Sequence, residues 1–334
     1  MTQFAAPPLS APLLLATDGS PSACLAQKLL YPIGANLEQE AKGKKTLVML
    51  MVKPQLLVRQ ARKAIAIPEV EARPETELET ISDLAEEQNL LNALAADVPK
   101  NLAVFLEARR GRPTTEILNY ARSLPAGLIA VGHQGLETGM RDFLLGSVSL
   151  GVARYATCPV LVARSQIEVE TPSWQHVLLV VDGSQATHSA IALTRQLVSA
   201  GIQQVTILSV QSPLTTQYLF GPFATPTPSW QLMQSLQQAQ KDQSEQIIQQ
   251  AEAALCLPGL KVQTLTQVSE PGPCICQIAQ QQAVNVIILG SDRRPALGNI
   301  RLTATGDYEI HHAPCPVLLC RVPRADVLTA SPSK

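Results

Sequence analysis

The sequence predicts an α/β protein built as two tandem domains, each a five-stranded parallel sheet with helices on both faces. Three observations carry this. The chain has 334 residues, more than one hydrophobic core of common size organises. Short apolar runs alternate with helix-period segments, the pattern of parallel strands joined by crossover helices. Finally, the chain repeats itself: PLLLATDGS (12–20) returns as HVLLVVDGS (176–184), GLIAVGHQG (127–135) as NVIILGSDR (285–293), and ATCPVLVAR (156–164) as APCPVLLCR (313–321). The three matches keep their order and nearly one register, which marks a tandem duplication. The domains are expected at 1–165 and 175–323, with the segment from Arg164 to Trp174 as the linker.

In the first copy, strands are expected near 12–17, 46–52, 101–107, 127–131 and 159–163, where the runs are short, apolar and suited to burial on both faces. Helices are expected at 21–31, at 77–96 with Leu78, Ile81, Leu84, Leu91 and Leu94 on one face, at 114–123 and at 146–156. In the second copy, strands fall near 176–181, 204–210, 260–266, 285–289 and 316–320. A long glutamine-rich helix near 229–256 puts Leu232, Leu236, Ile247, Ala251 and Leu255 on one stripe. Two segments, 53–76 and 212–230, exceed ordinary connection lengths and read as binding loops or excursions.

Composition excludes several classes. With 46% hydrophobic and 16% charged residues the chain is globular rather than disordered. A net charge of −1 gives no electrostatic footprint for nucleic acid or an anionic membrane. The apolar N-terminus has no basic leader, and its longest apolar run is too short to span a bilayer. Seven cysteines without a C-x-x-C pair point to buried thiols in a reducing cytoplasm. No Ser/His/Asp set, H-E-x-x-H or P-loop lysine is present.

Ligands of open α/β sheets bind beyond the carboxyl ends of the strands, where strand order reverses. There the first copy carries VGHQGLETGMRDFLLGSVS (131–149), with four glycines between a strand and a helix. Glycine lets backbone amides approach an anion, and a helix start offers free N–H groups, so the stretch reads as a phosphate cradle; the plainer alternative is a flexible turn. Asp18 ends the first strand, placed to accept from a sugar hydroxyl, or alternatively to cap the next helix together with Ser20.

The segments LLLATDGS, GRPTTEILNYA, VGHQG with LLGSVS downstream, and TCPVLVAR resemble, in order and spacing, the universal stress protein family, and the second half repeats that order. The resemblance covers nearly the whole chain. It implies Rossmann-like (adenine nucleotide α-hydrolase-like) domains that pair through their last strands, within one chain or as a homodimer. It further implies binding of ATP, with Mg²⁺, at a G-x-x-G, nine residues, G-[ST] signature, the first-strand Asp meeting the nucleoside. Carried over residue by residue, the site is Asp18, Gly132, Gly135, Gly146, Ser147 and Val148, with the adenine near Met51 or Val52. One departure stands out: ten residues, Leu136 to Leu145, separate Gly135 from Gly146, with Gly139 among them to absorb the extra one.

The second copy keeps Asp182, Gly183, Ser184 and Gly290 but has Arg293 where a glycine is expected, and Thr303-Ala304 in place of Gly-Ser. Its cradle is expected to be degenerate; the rival reading is that Arg293, Arg294 and Arg301 replace backbone contacts with charge. Elsewhere, His133 reads as a solvated loop residue or a phosphate contact, His311 and His312 as complements to a helix end, Cys274 and Cys276 as unpaired, and Cys158 and Cys315 as core. The leading functional expectation is an ATP-binding stress or signalling protein with an unidentified protein partner. A slow ATPase using His133, Glu137, Arg141 or Asp142, and a nucleotide-free interaction protein, are the alternatives.

Overall fold

The structure, a computed structural model, describes residues 9, 11–36, 45–54, 78–134, 146–164, 172–213, 230–291, 294–296 and 299–322. The first domain runs β1 (Leu13–Ala16), α1 (Pro21–Asn36), β2 (Thr46–Pro54), α2 (Leu78–Ala95), β3 (Ala103–Gly111), α3 (Pro113–Ser123), β4 (Leu128–Gly132), α4 (Ser147–Tyr155) and β5 (Val160–Ala163). The second runs β6 (His176–Val180), α5 (Gln185–Leu197), β7 (Gln204–Gln211), α6 (Trp230–Ala254), β8 (Lys261–Val268), α7 (Pro271–Gln281), β9 (Val286–Gly290), β10 (Arg294–Ala296), β11 (Asn299–Arg301), α8 (Ala304–His312) and β12 (Val317–Cys320).

Ten strands form one sheet in the order β3-β2-β1-β4-β5-β12-β9-β6-β7-β8. Within each domain every pairing of this sheet is parallel, as apolar strands separated by helices require. The two halves meet at β5 and β12, which pair antiparallel with Leu161 opposite Leu318. Side chains alternate across the sheet into two cores. Leu13, Leu15, Leu161 and Leu318 pack under α1, α2, α5 and α6, whereas Leu14, Val160, Val162 and Leu319 pack under α3, α4, α7 and α8.

Several elements differ from the sequence reading for identifiable reasons. Helix α1 continues past residue 31 to Asn36 although Pro32 lies inside it; the lost backbone bond is offset by Ile33, which is fully buried. Strand β3 runs to Gly111 rather than 107 because pairing with β2 continues through Lys53↔Arg110, and an edge strand tolerates polar side chains on its open face. The stripe on α6 holds only in its C-terminal half: Ile247, Ala251 and Leu255 are buried, while Leu232 is exposed. Trp174 is no linker residue in the physical sense. It is fully buried and its Nε1 donates to the Leu29 carbonyl at 2.9 Å, fastening the start of the second domain to α1. The antiparallel hairpin β10–β11, which no run in the sequence signalled, follows β9.

Arginines brace the seam. Arg321, at the end of β12, donates through Nη1 to the Ser291 carbonyl at 2.8 Å and through Nη2 to the Ala153 carbonyl of α4. Its repeat counterpart Arg164 donates to the His311 carbonyl of α8. Arg154 of α4 pairs with Asp307 of α8 at 3.2 Å. Glu309 of α8 is fully buried and accepts from Cys276 Sγ at 3.3 Å. Burial pushes its carboxyl up to about 8, and the Cys276 hydrogen bond only partly opposes this.

A close approach fixes the strand ends. A Cβ on Gly132 would lie 2.4 Å from Ser22 Oγ and 2.7 Å from the Ala23 backbone nitrogen; one on Gly290 would lie 2.4 Å from the Ala186 carbonyl carbon. Only glycine lets α1 and α5 start this close to β4 and β9. Two predictions follow from the packing. Gly132→Ala and Gly290→Ala should each cost about 1–3 kcal/mol in denaturant unfolding, whereas Gly146→Ala, whose Cβ would stand 3.2 Å from the His133 carbonyl oxygen, should cost less. Glu309 holds in the folded state a proton that the unfolded chain releases near pH 4–5. Its contribution is therefore intact at acid pH and lost as pH rises toward about 8, at up to about 1.4 kcal/mol per unit. Glu309→Gln should gain stability relative to the parent between pH 5 and 8; a difference that stays flat with pH contradicts a protonated buried glutamate.

Candidate functional site

In the first domain strand order reverses between β1 and β4, and a cavity of about 320 Å³ opens at their carboxyl ends. Its walls come from six elements, with α1 contributing Ala23. The end of β1 supplies Ala16, Thr17 and Asp18; the end of β2 supplies Leu50, Val52 and Pro54; the end of β4 supplies Val131 and Gly132; and Gly146, Ser147, Val148 and Ser149 open α4. Pro113 and Ile117 of α3 close the apolar side. Of the expected site residues, Asp18, Gly132, Gly146, Ser147 and Val148 thus converge on one cavity. Gly135 and Gly139, with Leu136 to Leu145 and the candidate hydrolytic residues Glu137, Arg141 and Asp142, lie outside the described residues. Of Met51 and Val52, Val52 lines the cavity, whereas the Met51 side chain points into the opposite core.

Local hydrogen bonds set the geometry. Gly19 takes the left-handed conformation (φ +78°), which turns the chain so that Ser20 N donates to Asp18 Oδ1 at 3.0 Å. Ser20 Oγ accepts from Ala23 N at 3.3 Å, so Ser20 is the helix cap and Asp18 remains on the cavity wall. Ser22 Oγ donates to the Gln134 carbonyl at 2.6 Å, tying α1 to the loop after β4. Helix α4 begins at Gly146 with no side-chain cap; the Gly146 amide donates to the His133 carbonyl at 2.7 Å, and Ser149 Oγ donates to the Gly132 carbonyl at 2.5 Å. The amides of its first turn have no intrahelical acceptor, which leaves an anion-favouring end on the cavity.

His133 is neither solvated nor on the cavity wall. Its side chain is buried and its backbone N donates to the Ala163 carbonyl at 2.9 Å, so the residue serves the β4–β5 junction. Its sequence neighbours are polar and glycine, which gave no sign of burial. Gly132, as above, is required by helix packing, and Gly146 has an ordinary extended backbone (φ −63°, ψ 142°). Pro113 and Ile117 were missed as wall residues; the signal was present in GRPTTEIL, a proline-started helix that follows a strand end.

A second cavity, about 200 Å³, occupies the equivalent place in the second domain and is lined by Val181, Asp182, Thr187, Ser212, Gly290 and Thr303 among others. Two changes among the described residues separate it from the first, at Thr303 and at Thr187. Thr303 caps α8 by accepting from the Gly306 amide at 3.2 Å, where α4 opens uncapped. The β10–β11 hairpin, which carries Arg294 and Arg301, follows β9, with Arg293 outside the described residues. Thr187 donates to Asp182 Oδ1 at 2.5 Å, where the first domain has Ala23. Among the described residues no three His, Cys, Asp or Glu side chains are grouped to hold a metal ion, and no helix is long and apolar enough to cross a membrane.

Comparison with known proteins accords with this frame. The chain is 46% identical over 54 residues to the universal stress protein YxiE of Bacillus subtilis, a match spanning 16% of this chain and 36% of that protein. It is 27% identical over 146 residues to a universal stress protein of Thermus aquaticus, spanning 43% of this chain and 97% of that one. The solved structure of a universal stress protein from Archaeoglobus fulgidus covers 93% of this chain, and 98% of that chain is covered in turn, with a TM-score of 0.56 at 19% identity, a likeness of fold. The model of the universal stress protein family matches residues 12–164 and again 173–321. With two matches that take in nearly every strand and helix described above, the chain belongs to the universal stress protein family as a tandem two-domain member.

Proposed function

We propose that the first domain binds an adenine nucleotide, ATP with its magnesium ion, and that the protein works through this binding in a stress-response or signalling role in the cytoplasm. The cavity at the first switch point carries the reading. It joins an apolar wall of Val52, Pro54 and Ile117, fit for a flat base, to the carboxylate of Asp18, fit for ribose hydroxyls, and to the uncapped start of α4, fit for phosphate. The residues therefore match the group: each part of a nucleotide has a chemically complementary wall. When bound, the nucleotide supplies the polyanionic tail that the first-turn amides of α4 meet. Asp18 orients the sugar, and the Ser149–Gly132 hydrogen bond keeps α4 in place against β4.

Family membership supports the stress role, and seven free thiols support a reducing compartment. The antiparallel β5–β12 pairing gives each domain its partner within one chain, so we expect a monomer that needs no second copy to complete its sheet.

Calorimetric titration of the full-length protein with ATP and Mg²⁺ should read one site per chain. Asp18→Ala should weaken that site roughly tenfold or more, the worth of hydrogen bonds to a charged acceptor. Absence of binding at millimolar nucleotide would overturn the reading and leave a nucleotide-free interaction protein.

A further inference from the structure

The two cavities share a frame, yet their acids are not equivalent. In the first domain Asp18 accepts from the Ser20 amide, and the residue five positions on, Ala23, offers a methyl group to the cavity wall. In the second domain Asp182 accepts from the matching Ser184 amide at 3.0 Å, and its Oδ1 also accepts from Thr187 Oγ1 at 2.5 Å. The same hydroxyl accepts from the Asp182 amide at 3.2 Å. Thr187 is almost fully buried, and its position is fixed by the close approach of Gly290, whose Cβ would lie 2.6 Å from the Thr187 nitrogen. The backbone that carries the hydroxyl is thereby held against the end of β9.

We propose that Thr187 is the specificity-determining residue of the second cavity: its hydroxyl stands where a sugar hydroxyl would stand and keeps nucleosides out. The inference rests on the reading of the first-strand acid as the ribose acceptor. Three consequences of one side chain point the same way. Asp182 Oδ1 already accepts from the Ser184 amide and from Thr187 Oγ1, so an entering diol can no longer take both carboxylate oxygens. The larger side chain of Thr187 takes up space on the wall where the first domain has the methyl group of Ala23. A sugar hydroxyl reaching Oδ1 would have to displace a hydrogen bond to a charged acceptor. This closure acts at the sugar end. It is separate from the capped start of α8, which acts at the phosphate end.

The test uses adenosine, which has no phosphate, so that the altered phosphate end does not enter. Full-length protein carrying Asp18→Ala, to weaken the first cavity, is compared with the same protein carrying also Thr187→Ala. Calorimetry should show adenosine binding gained in the double variant, by about tenfold or more over Asp18→Ala alone. Thr187→Ser in the same background keeps the hydroxyl and should show no gain, and adding Asp182→Ala to the double variant should remove what was gained. Thermal melting of each variant establishes that it is folded. A folded double variant that binds adenosine no better than its parent overturns the proposal, as does an equal gain in the serine variant. Failure of the first-cavity reading shows up separately, as unchanged nucleotide binding on going from the parent protein to Asp18→Ala.

Discussion

The antiparallel pairing of β5 with β12 is the constraint on which the rest of the molecule depends. Both strands are short and apolar on both faces, and every residue in them is buried. In a lone domain either would be an open hydrophobic edge, the kind of edge that recruits other chains. Joined, they make a ten-stranded sheet whose outer edges are instead β3 and β8, where exposure of Phe105 and Val268 is tolerated beside polar neighbours. Arg164 and Arg321 lie at the ends of these same strands, and each reaches across to a helix carbonyl of the other domain. The seam is thus held by backbone pairing, apolar burial and charged donors satisfied by otherwise unpaired helix ends.

From that seam outward the two cavities take equivalent places. Each domain reverses its strand order at its first strand, so the carboxyl ends of β1 and β4 part, as do those of β6 and β9, and a cavity opens in each gap. The architecture supplies two cavities, and a few side chains make them unlike. An uncapped glycine start on α4 contrasts with a threonine cap on α8, and a methyl at Ala23 contrasts with a hydroxyl at Thr187. Duplication has kept the frame while chemistry at the strand ends has diverged.

The glycines show how one residue type answers two constraints. Gly132 and Gly290 look like members of a phosphate-binding pattern, yet the space their missing Cβ leaves is filled by the first turn of α1 or α5. That packing persists in the second domain, where the cradle pattern is broken, so helix approach alone is reason enough for Gly290. Gly146 is different: its backbone is ordinary, and it matters as a cap with no side chain on the cavity wall. Likewise the polar pair Ser20 and Asp18 divides its labour, Ser20 capping α1 and Asp18 facing the cavity.

The amino-acid sequence by itself determined the α/β class, the duplication and the succession of the ten main strands along the chain, because periodicity, turn chemistry and repeated segments are local signals, while the family resemblance pointed to Asp18, Gly146, Ser147 and Val148. Tertiary structure decided what depends on distant partners. It put the Val52 side chain on the cavity and the Met51 side chain in the opposite core, extended β3 by pairing with β2, buried His133 at the β4–β5 junction and Trp174 against α1, and folded β10–β11 where no apolar run announced it. It alone revealed the Thr187–Asp182 contact, since a threonine in a first helical turn is unremarkable until the strand end it touches is known. Local sequence fixes what each segment can be; only packing fixes which atoms end up within hydrogen-bond reach.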